Sequence, residues 1–174
     1  MVPVTTLTSS DLLVDAFGRI RESVADAVEG LSGEELAFRV DDSANSLAWL
    51  VWHLTRIQDD HIADAAGLEQ VWTGQGWAER FGLPLAGSDT GYGHTSAQVA
   101  SVSATAEQLA GYHDAVHAQT VGYLAGLDGK ALTRVVDTSW DPPVTLGVRL
   151  ISVVSDNLQH AGQAAFVRGI LSRR

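Results

Sequence analysis

The sequence contains no cysteine among its 174 residues. This absence excludes disulfide bonds, zinc sites built from thiolates and a protein thiol acting as a nucleophile. Any thiol chemistry carried out by this protein must therefore use a thiol that comes from outside the chain.

Basic residues are also scarce, with 11 Lys and Arg against 21 Asp and Glu and a formal net charge of −10. Nucleic-acid binding needs a surface that neutralises phosphates, and attachment to anionic lipid needs positive charge as well. We therefore expect neither nucleic acid nor a membrane surface as a partner.

Long apolar runs are lacking, because every segment of bilayer length is interrupted by Asp, Arg, His or Gly. The first residues, MVPVTTLTSSDLL, show no basic start, apolar run and small-residue cleavage site of the kind that a secretory signal has. A soluble cytoplasmic protein is expected. The length is typical of one domain with a substantial core, so residues 1–174 are predicted to form a single domain.

What the sequence does contain is apolar residues at three- and four-residue steps, which predict amphipathic helices. Serine and acidic residues are candidate N-caps for the first of them, and Ser43 or Asn45 is a candidate for the second. A capping box from Ser32 to Glu35 predicts a short helical turn, and VVDTSW could form a short extended piece. The long helices are predicted at about 9–30, 45–66, 95–126 and 144–172. This pattern predicts an all-α protein with a four-helix bundle.

Residues 67–94 are rich in Gly and Trp and show no sustained period, which predicts a long loop with a turn of helix around 76–81. A loop of this length in a compact domain is often functional. Two roles are open for Trp72 and Trp77: they form part of a pocket at the mouth of the bundle, or they pack in the core.

The stretch SDNLQHAGQ, residues 155–163, places several polar side chains together in an otherwise apolar helix. Burying a polar group without a partner costs about 1 to 3 kcal/mol. Asp156 and His160 are four residues apart and so share one helix face, where a carboxylate and an imidazole can bind one divalent ion. Two ligands seldom suffice, so a third is expected on another helix.

The second helix offers His53 and His61 inside its apolar pattern, and both can face the interior. They are about 12 Å apart along the helix axis, so at most one of them belongs to the same site. Other interpretations stay open. His113 and His117 have the same four-residue spacing, any of these histidines could be a hydrogen-bonded core residue, and Asp156 could pair with an arginine.

The segments WHLTRIQDDHIADAAG and DNLQHAGQAAFVRGIL together resemble the DinB-like superfamily, and within it the branch of mycothiol-dependent maleylpyruvate isomerase. The resemblance implies a DinB-like four-helix bundle with a divalent metal at one end of its core. It assigns the ligands to His53, Asp156 and His160, although the isomerase-like branch has Glu where this chain has Asp156. The pocket or outer shell of the site would contain Asp60, His61, Asn157, Gln159 and Gln163.

Two histidines and one carboxylate suit Zn²⁺ or Ni²⁺ with an open coordination position. The resemblance implies mycothiol as cofactor, and hence a metal-dependent, mycothiol-using S-transferase-like enzyme acting on a small electrophile or xenobiotic. The isomerase has an additional C-terminal domain that contributes to its active site, so maleylpyruvate isomerisation itself is not predicted. The alternatives are a non-catalytic metal-binding or stress-response protein and a metal-dependent hydrolase. A homodimer is expected from the resemblance alone.

Overall fold

The computed structural model describes residues 7–173, which form four long helices joined by shorter elements. The long helices are α1 (Ser9–Val28), α3 (Leu47–Ala66), α7 (Ala106–Leu124) and α8 (Leu146–Leu171). The short helices between them are α2 (Gly33–Leu36), α4 (Val71–Gly74), α5 (Trp77–Phe81) and α6 (Ser96–Ser101). A 3₁₀ turn at Ala131–Thr133 precedes the strands β1 (Val135–Asp137) and β2 (Val144–Thr145).

The four long helices surround one apolar core. Both α1 and α3 pack against α7 and α8, so the helices close into a ring. Each contributes fully buried apolar side chains at the predicted spacing, including Phe17, Ile20, Leu54, Leu109 and Leu150. The predicted all-α four-helix bundle is confirmed.

The predicted boundaries of α1, α3 and α8 are correct to within a few residues, but two caps differ from the prediction. The N-cap of α1 is Thr8, and not one of the serine or acidic residues that follow it. Helix α3 begins after Ser46, whose hydroxyl accepts a hydrogen bond from the Trp49 N–H at 3.1 Å. Neither Ser43 nor Asn45 is the cap, since Ser43 lies in a preceding turn in which its hydroxyl donates to Asp41. Gly67 ends α3 in the left-handed conformation, as its position in the sequence suggests.

The single helix predicted at 95–126 is wrong, because the structure divides this segment into α6 and α7. Val102 has an extended backbone conformation, and its side chain is buried. Thr105 then starts α7 with a capping box, in which its hydroxyl and the Gln108 side chain satisfy each other's backbone N–H groups. The apolar spacing of the two helices continues across the break, so periodicity alone did not reveal it.

The elements observed in the connecting segments largely agree with those predicted from the sequence. The turn predicted at 76–81 is α5, and the extended piece predicted in VVDTSW is β1, which pairs antiparallel with β2. Thr145 caps α8, which crosses the whole bundle. No helix formed by residues 7–173 is long and apolar enough to cross a membrane.

Candidate metal centre

Three potential ligands meet where α3 faces α8. His53 comes from α3, and Asp156 and His160 come from successive turns of α8. Each offers one ligand atom, and these atoms lie within 4.8 Å of one another. Two atoms bound to one ion at about 2.1 Å lie at most about 4.2 Å apart, so a small side-chain movement brings all three onto one ion. Among residues 7–173, this is the one group of three such side chains that converges in this way.

His53 is held in the orientation that a ligand needs. Its side chain is buried, and its Nδ1 is 2.5 Å from the main-chain oxygen of Thr90. With the proton on Nδ1, the ring donates to this carbonyl and keeps the Nε2 lone pair for an ion. Trp49 stacks on the other side at 4.5 Å between ring centroids. Burial lowers the pKa of His53, which favours the neutral form that binds metal.

The close approach of Thr90 depends on the glycine that follows it. Gly91 has a φ of +92°, and a Cβ there would lie 2.8 Å from Nδ1 of His53 and 3.0 Å from the Trp52 ring. Any side chain at this position would push the loop away from the histidine. Gly91 is therefore required both by its backbone conformation and by the space beside His53.

Asp156 and His160 form an incomplete pair. Nδ1 of His160 is 2.9 Å from the main-chain oxygen of Asp156 and 3.3 Å from its Oδ2. Oδ2 is buried and has no hydrogen-bond partner among residues 7–173. The pairing with Asp156 raises the pKa of His160. Burial acts to raise the pKa of Asp156, but the His160 ring, which contacts Oδ2 at 3.3 Å without forming a well-aligned hydrogen bond, outweighs burial through its proximity and charge, so the pKa is lowered. A cation is the partner that an ionised, buried and unsatisfied oxygen lacks.

A third histidine, His94, was not identified from the sequence and contacts Trp49 beside the site. His94 accepts a hydrogen bond at Nδ1 from the Trp49 indole N–H at 3.0 Å, and its Nε2 is 2.9 Å from Oδ1 of Asp89. The Asp89 main-chain oxygen in turn accepts from Nε of the buried Arg56 at 3.1 Å. The chain of contacts fixes Trp49, which stacks on His53. The sequence signal for this role of His94 was weak, because it consisted of a cluster of polar and glycine residues, SDTGYGH, between helices.

The residues predicted to lie around the site divide into interior and surface groups. Asn157 is fully buried and donates to Oε1 of Gln58 at 2.7 Å, and Gln58 donates to Thr120, so this chain of amides joins α8, α3 and α7. Gln159 and Gln163 are exposed on α8 and line a surface cavity beside the centre.

Asp60 and His61 lie farther along α3, near the loop that follows it. The Asp60 carboxylate accepts from the Gln70 amide at 2.8 Å, and Nδ1 of His61 is 3.8 Å from the same carboxylate. Burial lowers the pKa of His61, while its charge is among those that lower the pKa of Asp156. Both residues thus lie outside the candidate ligand set, and of the two His61 acts on Asp156 through its charge.

Trp72 and Trp77 have the packing role and not the pocket role. Trp72 is only 4% exposed, and its ring packs against Tyr112, Phe81 and Trp52. Trp77 packs against the same Phe81 and Tyr112 and lies under the Arg80 guanidinium. The Gly- and Trp-rich segment is therefore an extension of the core that holds the loop bearing Thr90 in place.

Of the rival histidine pair, His113 is buried in the core and His117 is partly exposed. Nδ1 of His113 is 3.0 Å from the Thr55 hydroxyl, and burial lowers its pKa to about 3. Nε2 of His113 and Nε2 of His117 have no hydrogen-bond partner within the described residues. The neighbouring Asp114 is paired with Arg21 at 2.6 Å, so its carboxylate is engaged elsewhere. The interpretation of His113 as a hydrogen-bonded core residue agrees with this geometry.

Comparison with known proteins places the geometry in context. The chain matches the family model described as mycothiol-S-transferase over residues 12–172. It is also similar to the crystal structure of a conserved protein from Enterococcus faecalis, with 29% sequence identity and a TM-score of 0.89. That match covers 97% of this chain and 100% of the other. A search of curated proteins found no match.

Proposed function

This chain belongs to the mycothiol-S-transferase family, and we propose that it transfers a low-molecular-weight thiol, with mycothiol as the cofactor, to a small electrophile. The family match confirms the resemblance to the DinB-like superfamily and its mycothiol-using members that two short motifs indicated. The proposal adds a divalent metal, with His53, Asp156 and His160 as its ligands.

One observation carries the metal assignment. Oδ2 of Asp156 is buried and has no hydrogen-bond partner among the described residues, and one ligand atom from each of Asp156, His53 and His160 lies within 4.8 Å of the others. Two imidazoles and a carboxylate form a donor set that binds Zn²⁺ or Ni²⁺ with room for a further ligand. Trp49 and His94 have partners within the protein, but Nε1 of Trp52 and Oδ1 of Asn157 are also buried without a hydrogen-bond partner among the described residues. The convergence of three potential ligand atoms therefore distinguishes the centre, and not the unpaired oxygen alone.

A metal held by His53, Asp156 and His160 would supply a positive charge that lowers the pKa of a thiol placed beside it. Transfer would join the thiol sulfur to the electrophilic carbon. It would either expel a leaving group with its electron pair, or break a C=C π bond whose other carbon receives the proton that the thiol loses. The thiol must be external, because the chain has no cysteine.

The protein's own residues orient the candidate ligands and leave the centre accessible from one side. The Thr90 carbonyl fixes the direction of the His53 ring, and Trp49 and His94 prevent its rotation. The Asp156 side chain is 35% exposed and that of His160 is 18% exposed, so the centre is reachable from solvent on the α8 side. An open site of this kind is typical of catalytic metals, whereas a purely structural metal is normally enclosed by four protein ligands.

The decisive first experiment is metal content by plasma mass spectrometry on untagged protein, comparing wild type, His160→Ala and the control His117→Ala, which removes a histidine of the rival pair. We expect about one ion per chain in wild type and in the control, and loss of the ion in His160→Ala. Conjugate formation with mycothiol across a panel of electrophiles then tests transfer.

Other results would support the alternatives. Stoichiometric metal without any conjugate would favour the non-catalytic metal-binding protein, and metal-dependent ester or amide cleavage would favour the hydrolase. Wild type that takes up neither Zn²⁺ nor Ni²⁺ would contradict the metal assignment. The homodimer stays a prediction, which sedimentation velocity tests directly.

A further inference from the structure

A surface cavity of about 550 Å³ lies beside the candidate metal centre. It occupies the groove between the first turn of α3 and the last third of α8, and the segment before α3 closes one side of it. Its volume falls within the range of small-molecule binding sites, about 300 to 1,000 Å³. The lining residues are Val40, Ser43, Ala44, Asn45, Leu50, Gln159, Gly162, Gln163, Phe166 and Val167.

The cavity begins one helical turn from each of the two histidines. Leu50 precedes His53 by three residues on α3, and Gln163 follows His160 by three residues on α8. Three residues correspond to about 4.5 Å of helix rise. The cavity therefore adjoins the centre, although none of the three candidate ligands lines it.

The lining carries no charge. All the residues that form it lie in the described part of the chain, and none of them is acidic or basic. They combine apolar groups, among them Phe166, which is 64% exposed, with a few amide and hydroxyl groups. The Gln163 side chain forms no hydrogen bond with any described residue, so its amide is free for a ligand.

The same property extends along the exposed face of α8, in a chain whose net charge is −10. Every exposed residue of this helix is uncharged: Val148, Ile151, Ser152, Ser155, Leu158, Gln159, Gly162, Gln163, Ala165 and Phe166. An uncharged lining offers an anionic compound no side chain with which to form an ion pair inside the cavity. It favours ligands that bury apolar area and accept or donate one or two hydrogen bonds.

We propose that this cavity binds the electrophile, and that the electrophile is an uncharged, mainly apolar compound the size of one or two fused rings with a polar group near Gln163. The proposal rests on the proposed thiol transfer, for which it specifies the acceptor. The electrophilic carbon would lie at the His160 end of the cavity and the apolar body against Phe166 and Leu50.

A matched pair of naphthalene probes tests binding and transfer separately. Prodan, which is uncharged and unreactive, changes its emission in an apolar site, and acrylodan is the same ring system with an acryloyl group. In the reaction of acrylodan the thiol sulfur bonds to the terminal alkene carbon, the C=C π bond breaks, and a proton from the thiol ends on the neighbouring carbon. The charged comparison probe is 2-anilinonaphthalene-6-sulfonate.

Gly162 allows the cavity to be blocked without disturbing the helix. A Cβ at this position meets no atom within 4 Å, and the residue lies within α8 and lines the cavity. Gly162→Phe therefore fills the space, while the loss of a mid-helix glycine does not weaken α8. Gly122→Phe is the control, because Gly122 is also an exposed helical glycine with no atom near its Cβ and is on α7.

We expect saturable prodan binding to wild type and to Gly122→Phe, and prodan affinity at least about tenfold weaker in Gly162→Phe. We also expect wild type to bind 2-anilinonaphthalene-6-sulfonate at least about tenfold more weakly than it binds prodan. Equal prodan affinity in Gly162→Phe, no prodan binding to wild type, or equally tight sulfonate binding would each overturn the proposal. Circular dichroism of each variant verifies folding.

The readouts separate this proposal from the thiol-transfer proposal. Prodan binding needs neither metal nor thiol, so its loss in Gly162→Phe supports the cavity even if no conjugate forms with any acceptor. Conversely, acrylodan conjugation that proceeds with an unchanged KM in Gly162→Phe would leave thiol transfer intact and place the electrophile elsewhere.

Discussion

The Asp156 carboxylate is the least satisfied group at the candidate metal centre, since its buried Oδ2 has no hydrogen-bond partner among residues 7–173. It is one methylene shorter than the glutamate of the related isomerase-like branch. In this chain the shorter side chain still brings an oxygen to within 4.8 Å of the nitrogens of His53 and His160.

Replacing this charge should abolish tight metal binding. Asp156→Asn preserves the size of the side chain but removes its negative charge, and we expect metal affinity to fall by at least about 100-fold. Mutation of a residue that only hydrogen-bonds to a metal ligand already reduces metal affinity by about 10- to 100-fold. Competition with a fluorescent chelator measures the change. Asp156→Glu is the control and should stay within about tenfold of wild type. Equal affinity in wild type and Asp156→Asn would show that Asp156 is not a ligand.

At the scale of elements, the centre depends on a loop as much as on the helices. Residues 89–94 bring the Thr90 carbonyl to His53 and the His94 ring to Trp49. Asp89 accepts hydrogen bonds from the Gly91 N–H at 3.0 Å and, through its main-chain oxygen, from Arg56. The loop therefore has one well-defined position, which makes the orientation of His53 a property of the loop.

A methyl group at Gly91 should disturb this arrangement. Gly91→Ala introduces a Cβ 2.8 Å from Nδ1 of His53 at a φ of +92°. We expect metal affinity to fall about 10- to 100-fold and the free energy of unfolding to fall by about 1 to 3 kcal/mol. Gly93→Ala separates the two effects, because Gly93 also has a positive φ but no atom within 4 Å. It should lose stability and keep its metal, as isothermal titration and urea unfolding can show.

Helix α4 and the buried end of α3 are joined through Asp59. Its carboxylate accepts from the N–H groups of Val71 and Trp72 at 2.8 Å and from the Tyr112 hydroxyl, and lies 3.5 Å from the guanidinium of Arg56. Burial raises the pKa of Asp59, although these hydrogen bonds and Arg56 act against it. Asp59 therefore holds in place the aromatic cluster of Trp72, Trp77, Phe81 and Tyr112, and this cluster supports the loop formed by residues 89–94.

Removing this carboxylate should destabilise the whole fold. Asp59→Ala leaves the Arg56 charge buried without its acid, and we expect the free energy of unfolding to fall by about 3 to 5 kcal/mol in urea titrations. Asp64→Ala, at an exposed position of the same helix, should change stability by no more than about 0.5 kcal/mol. Equal effects of the two substitutions would contradict the structural role assigned to Asp59.

For the whole molecule, buried histidines link stability to pH. Burial lowers the pKa of His113 to about 3, whereas the unfolded chain titrates near 6.5. The unfolded state therefore binds more protons between these values, and stability is lost as the pH falls from about 6.5 towards 3. Burial also lowers the pKa of His53, His61 and His117, which act in the same direction, while His160 acts in the opposite one.

The share of His113 can be isolated with a single substitution. Metal-free wild type should lose stability between pH 7 and pH 5, and His113→Gln should lose about 2 kcal/mol less over this interval, because the unfolded state no longer gains a proton at this position. Urea unfolding at the two pH values with a chelator present measures the difference. An identical pH dependence in both proteins would show that His113 titrates normally in the folded state.

The sequence by itself determined the fold class and identified Asp156 and His160 as a candidate ligand pair, whereas the choice of His53 over His61 came from the family resemblance. Apolar spacing of three and four residues can only be satisfied by helices around a shared core, and the four-residue spacing of Asp156 and His160 places them on one face. These are local relations, visible within one or two turns. The same local logic missed the break between α6 and α7, because the apolar pattern continues across it.

Only the tertiary structure decided which groups meet across large distances in the chain. The Thr90 carbonyl reaches His53 from 37 residues away, and His94 reaches Trp49 from 45 residues away. Whether Trp72 packs in the core or faces a pocket depends on Tyr112 and Phe81, and whether Gln163 borders a cavity depends on the segment before α3. Such contacts follow from how helices and loops pack, a property of the whole chain that no short stretch of sequence contains.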